Sequence, residues 1–314
     1  MTTSISHLTC PLCEATCGLT ITTRGREIED IRGDRDDVFS AGYLCPKAYA
    51  LKDLDADPDR LRTPLMRRGD GFVAVGWDEA MAEIDRGLGA IFRDHGRDAV
   101  AMYLGNPNAH HLSGLYMPAL IRAIGTRNVF SASTVDQMPK QVSAGLMFGT
   151  ILSIPVPDLD RTDYLLMLGA NPLASNGSLL TAPDMKGRLR RLRARGGRLV
   201  VIDPRRSLTA LEADAHHFIR PGTDAHLLFA IVHTLFAEGR VTLGRLAEHT
   251  AGLAEIERLA RPFTADTAAR VTGLAADIIR GITRDLAAAP RAAVYGRIGT
   301  CTQEFGTLAS WLID

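Results

Sequence analysis

No stretch of the 314 residues is long and apolar enough to cross a bilayer as a helix, which excludes a helical membrane domain. A charge excess is also missing. Lys plus Arg number 36 and Asp plus Glu number 36, so no global field draws the chain to nucleic acid or an anionic membrane. The first residues, MTTSISHLTCPLC, lack a basic region followed by an apolar core and lack a twin-arginine signal, so the chain reads as cytoplasmic. There is no internal repeat and no low-complexity tract. Cysteine is scarce: five in a chain of this size exclude a disulfide framework. Their placement is uneven, with Cys10, Cys13, Cys17 and Cys45 gathered near the start and Cys301 alone. That clustering calls for a metal.

Hydrophobic residues make up 46% of the chain, enough for sizeable cores. LTITTRG (19–25) and REIEDIRG (26–33) alternate as a strand hairpin. KAYALKDL (47–54) reads as a short helix, and the polar, Pro-containing stretch 55–71 as a connector. Beyond it, helical and strand patterns interleave. Helices are expected over 77–96, 111–125 (bent near Pro118), 185–197, 224–239 and 276–290, and strands over 99–105, 163–172, 198–204 and 292–296. Apolar strands interleaved with helices predict a parallel α/β sheet covered on both faces. The last residues, FGTLASWLID, form an apolar helix with no stop signal, so the chain reads as truncated.

The cysteine spacing is C-x2-C-x3-C-x27-C. An iron–sulfur cubane needs four thiolates on four corners, and one tight loop can supply three of them. Structural zinc, the rival reading, pairs its ligands as two short C-x2–4-C units, whereas here the fourth cysteine stands apart. Lys47 follows Cys45 by two residues and reads either as a surface lysine on a short helix or as a cation beside the cluster.

Three later segments carry ligand chemistry. LGANPLASNG (168–177) places Gly169, Asn171, Pro172 and Ser175 in a turn at a strand's carboxyl end, where backbone N–H groups can meet a phosphate. VVIDPRR (200–206) ends an apolar strand on Asp203, whose carboxylate suits ribose hydroxyls, with Arg205 able to meet a phosphate. IRPGTDAHLL (219–228) adds Gly222 and Asp224; the latter could equally be the N-cap of the following helix. The arginine run from Arg188 to Arg198 reads as a solvated helix face. His110–His111 sits in a loop after a strand where it could face an active-site funnel, but adjacent side chains do not share one face of a helix or strand, which counts against a paired site. His216–His217, ahead of a short strand, reads as structural.

Taken in order, the cysteines with C-P-K at 45–47, the G-A-N-P loop, the D-P-R segment and the P-G-T-D segment resemble the molybdopterin-dependent oxidoreductases of the dimethyl sulfoxide reductase and formate dehydrogenase type. The resemblance covers nearly the whole chain and identifies it with the first part of a catalytic subunit. It implies a [4Fe–4S] cluster on Cys10, Cys13, Cys17 and Cys45, and an electron-relay role for Lys47 between the cluster and a pterin. It also implies that Gly169, Asn171, Pro172, Ser175, Asp203, Arg205, Gly222 and Asp224 line the pocket for one guanosine end of a bis-molybdopterin guanine dinucleotide carrying Mo or W. Gln303, in GRIGTCTQEFGT (296–307), is a further candidate, whereas Cys301 reads as a buried small residue.

The family's protein ligand to molybdenum falls near 135–145. This chain has no cysteine there, leaving Asp136, Ser133, Ser143 or no ligand at all. By resemblance, residues 1–60 form the cluster domain, 61–150 with 291–314 an incomplete α/β domain, and 151–290 the nucleotide-binding domain. The implied activity is two-electron chemistry on a small-molecule substrate, with electrons exchanged with a redox partner protein. No contact with nucleic acid and no membrane insertion are expected. The alternatives are a non-catalytic relay resembling the large subunit of respiratory complex I, or an inactive fragment. The isolated chain is expected to lack turnover.

Overall fold

The computed structural model describes residues 2–105, 108, 110–175, 179, 180 and 182–314, so Asn176 and Gly177 of the 168–177 motif lie outside the described residues. The chain divides into two compact units, Met1–Ala132 and Ser133–Asp314.

The first unit opens with an antiparallel sheet in the order β1 (Thr3–Thr9), β2 (Gly18–Arg24), β3 (Glu27–Gly33). The β2–β3 hairpin is the expected one, and it turns at Gly25 with φ of 62°. Strand β1 is an addition: every residue of TSISHLT is exposed, so no apolar alternation marks it, and pairing with β2 along its whole length creates it. The expected helix over 47–54 breaks at Ala50 into α1 (Pro46–Tyr49) and α2 (Leu51–Ala56).

The segment expected as a plain connector folds into an antiparallel hairpin, β4 (Leu65–Arg68) and β5 (Gly71–Ala74), around Gly69 with φ of 60°. After α3 (Trp77–His95), strand β6 (Met102–Leu104) pairs in parallel with β7 (Val129–Ser131). Between them α4 (Met117–Ile124) carries Pro118 in its first turn rather than bending there, because a proline so close to the helix start lacks only an N–H that has no helical partner anyway.

The second unit begins with α5 (Ser133–Asp136) and α6 (Met138–Phe148). It then runs β8 (Tyr164–Leu168), α7 (Pro172–Ser175), α8 (Met185–Ala194), β9 (Arg198–Ile202), α9 (Leu208–Leu211), β10 (Ala215–His217) and α10 (Asp224–Ala237). It closes with α11 (Leu253–Ala260), α12 (Ala265–Thr272), α13 (Ala276–Ala288), β11 (Ala292–Gly296), α14 (Ile298–Cys301) and α15 (Gly306–Ile313). The strands form one parallel sheet in the order β10-β9-β8-β11.

Period-two alternation assigns the two faces of this sheet. Tyr164, Leu166 and Leu168 of β8 join Val200 and Ile202 beneath α10, α12 and α13. Leu165 and Met167 join Leu199, Val201 and Tyr295 beneath α8, whose Leu189 and Leu192 are buried. Most arginines of α8 take the surface: Arg191 pairs with Asp184 and Arg193 with Asp214, as does Arg198, at the start of β9, with Asp285. The Arg188 side chain, by contrast, is largely buried against Asp160.

The terminal segment, grouped by sequence with 61–150, makes two attachments. Its helix α15 packs on α6, within that group, while β11 hydrogen-bonds to β8 and so completes the sheet of 163–217. The physical reason is the open parallel edge of β8, which the apolar strand AAVYG fills.

Strand order reverses between β8 and β11, so their carboxyl ends open a crevice of the kind that binds ligands in open α/β sheets. Two glycines meet there. A Cβ built on Gly169, whose φ is 54°, would stand 2.8 Å from Gly299 Cα, and one on Gly299 would stand 2.7 Å from Gly169 Cα. The Gly299 N–H donates to the Gly169 carbonyl at 2.9 Å. Replacing Gly169 by Ala should therefore combine left-handed backbone strain with overpacking and lower stability by about 1–3 kcal/mol. Urea denaturation of the variant checks this, and an unchanged midpoint would show that the two loops can separate freely.

Candidate functional site

In the second unit the crevice collects most of the residues that the sequence singled out. Asn171, just past β8, accepts on Oδ1 from the Thr209 N–H (3.1 Å) and the Thr209 hydroxyl (2.8 Å), while that hydroxyl accepts from the Leu173 N–H. Its side chain thus ties α7 to α9 and fixes the turn shape. Pro172 is buried and Ser175 is exposed at the end of α7. Asp203, following β9, accepts the Arg205 N–H at 2.7 Å, which fixes the D-P-R turn and leaves the Arg205 side chain exposed. Gly222, with φ of 79°, turns the chain into α10.

Asp224 is the first residue of α10, and Thr223 holds the N-cap position, so the capping reading of Asp224 does not apply. Its buried carboxylate instead accepts from Gln303 Nε2 at 2.9 Å. Burial pushes the Asp224 carboxyl above its ordinary range; the Gln303 hydrogen bond opposes this and the nearby Asp203 charge adds to it. Gln303 Nε2 also reaches the carbonyls of Gly299 and Thr300, whereas its Oε1 is buried with no hydrogen-bond partner. An orphaned acceptor beside an unneutralised carboxylate is costly in a closed protein and suits a ligand rich in N–H donors. Thr302 turns back to Ile298, and Cys301 is buried with Sγ 3.9 Å from Ser310, as expected for a packing residue.

The candidates near 135–145 separate clearly. Ser143 is fully buried and donates to Asp314 Oδ2 at 3.2 Å, next to the Lys140–Asp314 ion pair. Asp136, at the end of α5, keeps Oδ1 buried without a hydrogen-bond partner, and its Oδ2 lies 3.8 Å from the Arg297 guanidinium.

In the first unit the thiol loop is closed by the Cys10 N–H donating to the Cys17 carbonyl at 2.8 Å, with Thr16 in the left-handed region at φ of 47°. Burial pushes the Cys17 thiol up to about 11, with Cys10, Cys13 and Cys45 acting in the same direction. Burial also raises Cys10; the Leu12 N–H opposes this, Cys13 and Cys45 reinforce it, and Lys47 lowers it. The four thiols are thus neighbours, although among the described residues no three His, Cys, Asp or Glu converge tightly enough for a single ion. Lys47 is exposed on α1 and near enough to act on Cys10. All four are free thiols in an apolar nest with Leu19, Ile31 and Ala48.

One feature set aside in sequence returns here. His110 and His111 both line a cavity of about 760 Å³ together with Cys10 and Thr16. His110 Nε2 lies 3.8 Å from Glu14 of the thiol loop. Adjacent histidines cannot share a face of a regular strand or helix, but the irregular backbone ahead of α4 presents both; no periodicity signals that.

These geometries define a class: a thiol-rich metal domain joined to an open α/β sheet with an acceptor-lined switch-point crevice. Residues 60–245 match the model of the molybdopterin oxidoreductase family, and residues 5–54 match that of the molybdopterin oxidoreductase Fe4S4 domain. The chain belongs to the molybdopterin oxidoreductase family, whose cofactors are a molybdopterin and a [4Fe–4S] cluster. It is 28% identical to the thiosulfate reductase molybdopterin-containing subunit PhsA of Salmonella typhimurium, over 96% of this chain and 39% of that protein. Against formate dehydrogenase H of Escherichia coli it is 27% identical, over 92% of this chain and 41% of that one. The fold matches acetylene hydratase from Pelobacter acetylenicus with a TM-score of 0.80 at 21% identity, covering 98% of this chain and 42% of the other. The chain therefore spans about two fifths of the length of the relatives it matches.

Both cofactors fit the residues present. The bare Gly169–Gly299 contact and the orphaned oxygens of Gln303 and Asp136 suit a bound nucleotide and metal, and the four coupled thiols suit a cluster. The raised Asp224 carboxyl has a consequence for stability. A carboxyl whose folded pKa lies above its unfolded value stabilises the fold in acid and loses that contribution as pH rises through the folded pKa. Asp224→Asn, which removes the buried charge, should therefore melt at a higher temperature than the parent at neutral pH. The difference should shrink as the medium is made acidic, as thermal melts across pH would show; a constant difference would mean that the Asp224 carboxyl titrates in the folded protein as it does in the unfolded chain.

Proposed function

We propose that this chain is the cofactor-binding part of an oxidoreductase that performs two-electron chemistry on a small-molecule substrate at a Mo or W centre. Cys10, Cys13, Cys17 and Cys45 hold the [4Fe–4S] cluster, and Lys47 relays electrons between it and a pterin. Gly169, Asn171, Pro172, Ser175, Asp203, Arg205, Gly222, Asp224 and Gln303 hold one guanosine end of a bis-molybdopterin guanine dinucleotide. The observation that carries the reading is the buried Asp224 carboxylate held by Gln303, whose Oε1 has no hydrogen-bond partner, on the loop that meets Gly169 through Gly299. Asp203 suits ribose hydroxyls, while Asp224 and Gln303 Oε1 offer acceptors to the N–H groups of guanine.

Of the candidates Asp136, Ser133 and Ser143, Asp136 is the one we assign, because it alone of the three keeps a buried side-chain oxygen without a hydrogen-bond partner, while Ser143 is engaged by Asp314. The cofactor, when bound, supplies the two-electron redox step. The chain's own residues orient it, exclude water around it and connect it to the cluster. Residues 1–60 act as the cluster domain and 151–290 as the nucleotide-binding domain, with β11 of 291–314 completing the latter's sheet and 61–150 belonging to a further α/β domain. A redox partner protein takes or gives the electrons one at a time. Five free thiols suit a reducing, cytoplasmic setting. Among the described residues no helix is long and apolar enough to cross a membrane.

Metal analysis of anaerobically purified protein tests the reading. About four irons per chain are expected, lost in Cys13→Ala, and Mo or W should accompany them in the pterin-loaded protein. Colourless protein with stoichiometric zinc would overturn the cluster, and iron without Mo or W would leave an electron relay. Asp203→Ala should weaken retention of the guanine dinucleotide by about 1.5–3 kcal/mol while leaving iron unchanged, because it removes a charged hydrogen-bond acceptor. Normal dinucleotide content in that variant would reject its assignment.

A further inference from the structure

The first residue after β11 is Arg297, whose side chain is 11% exposed. Its backbone is seated by three bonds. The Arg297 N–H donates to the Leu168 carbonyl at the end of β8, and its own carbonyl accepts from the Thr300 N–H at 2.7 Å and the Thr300 hydroxyl at 2.8 Å. Thr300 is fully buried, so this turn has little freedom. The Arg297 side chain then reaches α5. Nη1 donates to the Asp136 carbonyl at 3.0 Å, and Nη2 stands 3.8 Å from Asp136 Oδ2.

The two carboxylate oxygens of Asp136 are therefore unlike. Oδ2 is on the guanidinium side, and Oδ1 is buried with no hydrogen-bond partner. Asp136 ends a four-residue helix, so a contact from outside that helix helps to fix its carboxylate. With it, α5 is anchored to the mouth between β8 and β11.

We propose that Arg297 is the positioning residue for Asp136: it holds the carboxylate so that Oδ1 alone faces the crevice, and its positive charge weakens the carboxylate as a donor to whatever cation that oxygen meets. This rests on the assignment of Asp136 as the residue facing the metal. A guanidinium near one oxygen draws electron density from the other, so the metal is bound by a weaker donor and is easier to reduce. The role requires both charge and fork geometry, since one Nη group holds the main chain and the other the carboxylate.

The test uses the cofactor-loaded enzyme with Arg297→Gln, Arg297→Lys and Asp136→Ala. Iron and Mo or W contents should stay at the parent level in both Arg297 variants. In Arg297→Gln the midpoint potential of the metal should fall, its paramagnetic resonance signal should shift, and kcat should drop about 10–100-fold with little change in KM, as for loss of an outer partner of a metal ligand. Arg297→Lys, which keeps the charge but not the fork, should lie between Gln and the parent. A potential and resonance signal equal to the parent's in Arg297→Gln, alongside an altered signal in Asp136→Ala, would overturn the role of Arg297 and leave Asp136 as the ligand. An unaltered signal in Asp136→Ala would instead reject the ligand assignment itself, and the role of Arg297 with it. Should Arg297→Gln fail to fold, the potential of Arg297→Lys decides alone, a parent value overturning the proposal.

Discussion

Gly169 and Gly299 approach each other more closely than any side chain would permit, and the crevice of the second unit depends on that contact. It brings the loop after β8 against the loop after β11, although 130 positions of sequence separate them. From that seam the binding groups follow in order. Arg297 lies two residues before Gly299 and Gln303 four after, so the tight turn that carries Gly299 directs one side chain to α5 and the other to α10. A methyl group on either glycine would force the loops apart and move both arms at once.

The crevice is also where the protein accepts unfavourable electrostatics. Asp224 is buried against a neutral amide, with another carboxylate near enough to raise its pKa. Asp136 and Gln303 each keep a buried oxygen without a hydrogen bond. Tyr164 Oη and His226 Nδ1 are also buried without a partner, whereas the surface pairs of Arg191, Arg193 and Arg198 and the Asn171–Thr209 tie are matched. Concentrating orphan acceptors at the switch point is destabilising for the empty protein, and it is the arrangement that a donor-rich nucleotide and a metal would satisfy.

The first unit solves a different problem. Its antiparallel sheet is thin and largely exposed, and its apolar nest is built around the thiols themselves. Leu19, Ile31 and Ala48 pack against Cys10 and Cys17, so the thiols are part of the local core, and a metal held by them would couple its binding to local folding.

Much of this was legible in one dimension because it depends on local spacing. C-x2-C-x3-C-x27-C, the apolar runs at 164–168 and 198–202, and the turns ending at Asn171, Asp203 and Asp224 are short-range patterns, and each determined an element or a donor. What spacing does not encode is which distant segments touch. Strand β1 has no apolar alternation and exists only through its partner, and the 65–74 hairpin is polar throughout its turn. The attachment of β11 to β8, the meeting of two glycines, the Asp224–Gln303 bond and the Arg297–Asp136 pair are long-range contacts. Residue types and order determined which chemistry the chain carries. Only tertiary packing distinguished Asp136 from Ser143, because that depends on which neighbour reaches each hydroxyl or carboxylate: Asp314 at Ser143, and Arg297 on one side alone of Asp136, whose other oxygen stays unpartnered.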